Sequence, residues 1–139
     1  MDIGCGYNAL TLQYIQTHCH PKKCIAVDLH LNTSQLEQLN IECKQMDLEN
    51  TFPLDNKADI VIATAIFEHI HNITALINFI YITLKPKGIL LATVPSIRAK
   101  PVLECMAYRL KIIDRTEIDD HKQYYNKKTL VSLLRNHKW

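Results

Sequence analysis

The chain has 139 residues, nearly half of them hydrophobic, which is enough for one core and too few for two. Its 16 Lys and Arg stand scattered against 14 Asp and Glu, so no basic stripe tracks a phosphate backbone and no nucleic-acid partner is expected. Five cysteines at irregular spacing predict reduced thiols in a cytoplasmic protein rather than a disulfide framework, and no apolar run approaches the ~20 residues of a membrane span.

In chain order, Met1-Asp2-Ile3 reads as the end of a strand running into the turn Gly4-Cys5-Gly6, and Asn8 to Thr17 as a helix. Cys24-Ile25-Ala26-Val27 is a short buried strand closing on Asp28. Ser34 with Glu37 three residues on has the pattern of a capping box and predicts a short second helix. A weaker strand follows at Glu42 to Met46, then a clear one at Ala58-Asp59-Ile60-Val61-Ile62-Ala63. Asn72 is placed to cap a third helix running to Leu84, where Lys85-Pro86-Lys87-Gly88 stops it and turns the chain into the strand Gly88 to Val94. Beyond Pro95 the pattern changes to a loop and two helices, about 102–112 and 126–135. This alternation predicts an α/β fold, a Rossmann-like three-layer sandwich on a mainly parallel sheet. Little precedes Gly4 and nothing follows the last helix, so the expectation is one incomplete domain over 1–139, lacking its outer strands and most of its first strand.

Two of the three glycines lie in Asp2-Ile3-Gly4-Cys5-Gly6. Glycine there permits a tight turn and a close approach of ligand to backbone, while the next helix offers its first amides. Two cofactor classes fit such a turn. Gly4, Gly6 and Ala9 satisfy the dinucleotide spacing, with Asp28 near the offset of a ribose-binding carboxylate. Asp2, however, would repel a pyrophosphate and attract the sulfonium and ammonium of S-adenosylmethionine. Asp2, Asp28 and Asp47 all fall near the ends of successive strands, where one acidic rim would line the cofactor. Cys5, small and apolar, would pack beneath the ligand.

On these residues the chain resembles the class I S-adenosylmethionine-dependent methyltransferases, especially the small-molecule branch that includes quinone-biosynthesis enzymes. The resemblance implies that Asp2, Gly4, Cys5 and Gly6 face the methionyl part of the cofactor, that Asp28 holds the ribose hydroxyls, and that Leu29 lies against adenine. It implies also that Asp47 accepts the adenine amino group beside the Leu48 backbone, and that Thr64 stands near the reactive methyl. Thr64-Ala65-Ile66-Phe67-Glu68-His69-Ile70 is similar to the family's sequel to its fourth strand, and Leu84-Lys85-Pro86-Lys87-Gly88 to the entry of its fifth. Asn8 departs from the pattern, standing where many members carry a third glycine.

The activity implied is methyl transfer to a small-molecule acceptor, with no metal. His69 is the candidate base, since a histidine can exchange a proton near neutrality; the other reading is that Glu68-His69 orders the local helix start. His121, Tyr124, Tyr125 and the stretch from Pro95 to Glu117 are expected to cover the substrate. His18-Cys19-His20 with Cys24 lacks the paired spacing of a zinc site and carries Lys22 and Lys23 beside it. Two other functions share the same turn: an inactive binding module of this fold, and an NAD-dependent oxidoreductase. Neither the acceptor nor the oligomeric state is encoded in a transferable motif.

Overall fold

The computed structural model describes residues 1–50, 54–55, 57–94 and 127–136. In chain order it contains β1 (Asp2–Ile3), α1 (Leu10–Cys19), β2 (Cys24–Asp28), α2 (Thr33–Gln38), β3 (Ile41–Gln45), β4 (Ala58–Thr64), a 3-10 turn (Phe67–His69), α3 (Ile73–Thr83), β5 (Leu84–Thr93) and α4 (Lys127–Asn136). Among the described residues the strands form one sheet in the order β3-β2-β1-β4-β5, and every neighbouring pair is parallel. The short β1 is the centre of this sheet: Asp2 pairs with Ala26 on one side and Ile62 on the other. From β1 the chain winds outward through β2 and β3, then returns to place β4 and β5 on the opposite side. That reversal puts a topological switch at β1, where open α/β sheets bind ligands beyond the carboxyl ends of their strands.

Strand alternation divides the core into two layers. Ile3, Ile25, Val27, Val61 and Ala63 face one way, packed with Phe67, Leu76, Ile77 and Ile80, and Leu130, Leu133 and Leu134 of α4 lean on the same layer. Cys24, Ala26 and Ile41 face the other way, against Ala9, Leu12 and Leu36 around α1 and α2. The α/β sandwich expected from the sequence is therefore present, with both faces of β2 buried as its unbroken apolar run requires. No helix among the described residues is long and apolar enough to cross a membrane.

Local chemistry explains the start of α3. Asn72 accepts the Ala75 amide at 3.1 Å and so caps α3, as its position predicted. Asn72→Ala is expected to cost about 1 kcal/mol, the usual value of a lost N-cap, measured by urea denaturation; an unchanged midpoint would show that the cap carries no stability. The capping box expected at Ser34 and Glu37 does not form. Asn32 takes the cap position instead, its side chain accepting from Ser34 Oγ at 3.3 Å, because α2 starts one residue before Ser34. β5 also starts earlier than expected. Leu84 already pairs with Ala58, and the chain then loops out before Ile89 rejoins opposite Ile60. Lys87 has a φ of 65° in this excursion, and a Cβ on Gly88 would stand 2.8 Å from the Leu84 side chain, so the Lys-Pro-Lys-Gly segment is a bulge inside the strand's span rather than a stop before it. The helix expected over 102–112 lies outside the described residues.

Candidate functional site

The turn after β1 is built from backbone hydrogen bonds that only a glycine pair accommodates easily. The Gly4 amide donates to the Val27 carbonyl at 2.8 Å while its φ is 65°; Gly6 follows at 72°, in the left-handed region where a side chain is strained. A Cβ on Gly4 would stand 2.7 Å from Ile66, whereas one on Gly6 would meet nothing within 4 Å. Gly4 is thus closed in by the loop after β4, and Gly6 opens to the crevice. The Ala9 amide donates to the Gly6 carbonyl at 3.1 Å and Ala9 itself is left-handed at the start of α1, which completes the turn.

Asp28, at the carboxyl end of β2, reaches across to this turn. Its Oδ2 accepts the Gly6 amide at 2.8 Å and its Oδ1 accepts the His30 amide at 3.3 Å. The amide that a phosphate would need is therefore held by a carboxylate, whose charge also repels an anion. Leu29 beside it is 57% exposed, free to lie against a flat ring.

Asp2 occupies a different place from the open rim the sequence suggested. It shares the sheet face of Ala26, opposite Ile3, and is only 1% exposed, so the structure puts it under the turn on the α1 side. Its Oδ1 has no hydrogen-bond partner. Burial pushes the carboxyl up to about 7; the nearby Asp28 adds to the rise and the Met1 amino group opposes it. A buried carboxylate with an unsatisfied oxygen is costly, and the positive charge of the Met1 amino group offsets part of that cost. Cys5 is half-buried with Sγ 3.7 Å from the Val27 carbonyl, and burial, aided by the charges of Asp2 and Asp28, raises its thiol to about 12. It packs as a neutral group and is no nucleophile.

Asp47 and Leu48 follow the carboxyl end of β3, and Thr64 and His69 lie at and after that of β4. Asp47 is exposed and sits one turn beyond β3, its oxygens accepting the Glu49 amide at 2.9 Å and the Asn50 side chain at 2.8 Å. The Leu48 side chain is buried in the core. Thr64 ends β4 and is half-buried. His69 is half-buried in the 3-10 turn that follows, its amide donating to the Ile66 carbonyl at 3.0 Å. His121, Tyr124, Tyr125 and the stretch from Pro95 to Glu117 lie outside the described residues.

Ile66 and Glu49 carried no assigned role in the sequence reading, and Glu68 only that of ordering the local helix start. Ile66 closes over Gly4, held there by Ala65, whose φ is 52° and whose amide donates to the Thr93 carbonyl at 3.1 Å; no local motif announces a left-handed alanine. Glu68 is 1% exposed with Oε2 unpartnered. Glu49 joins two turns: its Oε1 accepts the His71 amide at 2.8 Å and the His71 Nδ1 at 2.9 Å, and its Oε2 accepts the Asn72 amide at 3.2 Å. Among the described residues no group of three or more His, Cys, Asp and Glu could hold a metal ion.

Comparisons with known proteins agree with this architecture. A possible histamine N-methyltransferase from Thermotoga maritima, described as SAM-dependent, superposes with a TM-score of 0.67 at 14% identity, over 97% of this chain and 60% of its own. Coclaurine N-methyltransferase, solved with N-methylheliamine and SAH, gives a TM-score of 0.54 at 26% identity over 66% of this chain and 29% of its own. Pavine N-methyltransferase from Thalictrum flavum subsp. glaucum is 30% identical over 81 residues, 52% of this chain, and the match spans only 22% of that enzyme's length. The family model described as "Methyltransferase domain" matches residues 1–138, and the chain belongs to that family.

Proposed function

We propose that the chain binds S-adenosylmethionine at the Gly4–Gly6 turn and that its function is methyl transfer to a small-molecule acceptor. The observation that carries the reading is the Gly6 amide donated to Asp28, with the buried Asp2 beneath the same turn: a negatively charged cradle suits an onium ligand and repels a pyrophosphate. A nicotinamide dinucleotide would have to displace a carboxylate from the amide it needs. The names of pavine and coclaurine N-methyltransferase favour nitrogen as the acceptor atom. The four described cysteines are free thiols, which supports a reducing, cytoplasmic setting.

Bound in this crevice, S-adenosylmethionine supplies a methyl group already attached to a good leaving group. The protein's work is then to hold and align the reactants and to exclude water. Asp28 presents carboxylate lone pairs to the ribose hydroxyls and Leu29 an apolar surface to adenine. Asp47 and the Leu48 backbone receive the adenine edge, the glycines let the backbone approach, and Thr64 borders the methyl. A proton released by the acceptor falls to His69, in the turn beyond the β4 carboxyl end.

Calorimetric titration tests the binding step. SAH is expected to bind, NADH is not, and Asp28→Ala is expected to weaken SAH by at least ~10-fold, the scale of a lost hydrogen bond to a charged group. Tight NADH binding that Asp28→Ala abolishes would overturn the reading in favour of an oxidoreductase. SAH binding without methyl transfer to any amine acceptor would leave a cofactor-binding module in place of an enzyme.

A further inference from the structure

Helix α1 lies on the sheet through Ala9 and Leu12, and the face it turns to solvent lacks the charged residues that a surface helix usually carries there. Leu10 is 71% and Tyr14 64% exposed, and Tyr7, just ahead of the helix, is 58% exposed. His18 is exposed too. Leu10, Tyr14 and His18 follow one another at four-residue steps, so they form a single ridge along the helix. The whole of α1, Leu-Thr-Leu-Gln-Tyr-Ile-Gln-Thr-His-Cys, holds no Asp, Glu, Lys or Arg. The outer faces of α2 and α4, by contrast, carry Glu37, Gln38, Lys128 and Arg135. We propose that this ridge is the contact between two copies of the chain, with their α1 helices packed antiparallel about a two-fold axis at Tyr14.

Symmetry selects that occupant. A residue on a two-fold axis meets itself, so a charge there would face its own copy and repel it. A ridge without charge suits a second copy, whereas a charged partner would find nothing to pair with. The Tyr14 ring is already held in place: it stacks on His18 with ring centroids 4.1 Å apart and 19° between the planes, and His18 Nδ1 donates to the Tyr14 carbonyl at 2.9 Å. Rings fixed beforehand lose little freedom on association, and the outer face of Tyr14 can take its symmetry mate in an offset stack. The ends of the helix match as well. His20, Lys22 and Lys23 stand exposed beyond its C-terminal end, while Asp28 is bonded to the Gly6 amide just ahead of its N-terminal end. An antiparallel pair brings the basic end of each copy towards the acidic end of the other. With Tyr7, each ridge offers roughly 400–500 Å², so two copies bury roughly 800–1,000 Å², the size of a transient interface rather than an obligate one.

Sedimentation velocity from about 5 to about 500 µM is expected to show a monomer–dimer equilibrium with a dissociation constant of tens of micromolar, the order that such an area supports. Tyr14→Arg, which sets two cations against each other on the axis, is expected to weaken it at least ~10-fold. Ile89→Arg, at an exposed apolar residue of β5, is expected to leave it unchanged. Tyr14→Cys, in a Cys19→Ser and Cys105→Ser background, is expected to form a disulfide-linked dimer in oxidised glutathione, since helices in contact bring their facing Cα atoms within disulfide reach. A chain that stays monomeric over the whole range overturns the proposal, and one that then floats with phosphatidylcholine vesicles gives the ridge to a membrane surface instead. A dimer that Ile89→Arg abolishes and Tyr14→Arg leaves intact also overturns it, as does a folded Tyr14→Cys chain that remains unlinked. None of these readouts depends on cofactor or activity.

Discussion

At pH 8, Asp2→Asn is expected to make the protein more stable, by up to about 4 kcal/mol, while weakening its hold on S-adenosylmethionine. A carboxyl lifted from its ordinary 3.8 to about 7 carries a penalty on its ionised form of about 1.4 kcal/mol for each pH unit of that rise. In the unfolded chain the group ionises near pH 4. In the folded chain it keeps its proton until about pH 7, so stability falls as pH rises between those two values and is level above them. Asparagine keeps the shape without the charge, so its advantage should be absent near pH 4 and complete by pH 8. Urea denaturation at both pH values reads the difference, and equal gains at pH 4 and pH 8 would show that Asp2 is not held in its protonated form by burial. Cofactor affinity separates stability from function: with Asp28 intact, a variant that is more stable yet binds S-adenosylmethionine as tightly as its parent would remove Asp2 from the site.

Gly4→Ala is expected to do the opposite, lowering stability by about 2–4 kcal/mol and abolishing SAH binding. Two costs combine. A φ of 65° disfavours any side chain by roughly 1–2 kcal/mol, and the new methyl would overlap Ile66 at 2.7 Å, a clash that must move the loop after β4. Gly6→Ala has the same backbone conformation with open space around it, so it should show the first cost alone. Ile66→Ala in the Gly4→Ala background should recover part of the loss, a coupling that a double-mutant cycle measures directly. Equal destabilisation by Gly4→Ala and Gly6→Ala would place the whole effect in the backbone and remove the Ile66 contact from the account.

These two positions also show what the sequence could and could not disclose. The apolar run Cys24–Val27 becomes an inner strand because four consecutive buried side chains with flanking turns fit little else, and Val61–Ala63 does the same for the inner part of β4. Asn72 declared the start of α3 for an equally local reason. The orientation of Asp2 is another matter: two strand residues give no alternation to read, and only pairing with Ala26 fixes which way the carboxylate points. Asp28 ends β2 and Asp47 follows β3 on the surface, whereas Asp2 is buried on the α1 side. Ile66 over Gly4 and the early pairing of Leu84 depend on contacts between segments distant in sequence, which local pattern does not carry. Ser34 does not cap because α2 already begins at Thr33, with Asn32 in the position before it and no side-chain cap bond formed.

One carboxylate, that of Glu49, grips the first residues of the chain leading into α3 from its seat beside Asp47. The turn after β3 and the approach to α3, carried on opposite sides of β1, thereby share one fastening, and a displacement of either is expected to pull on the other.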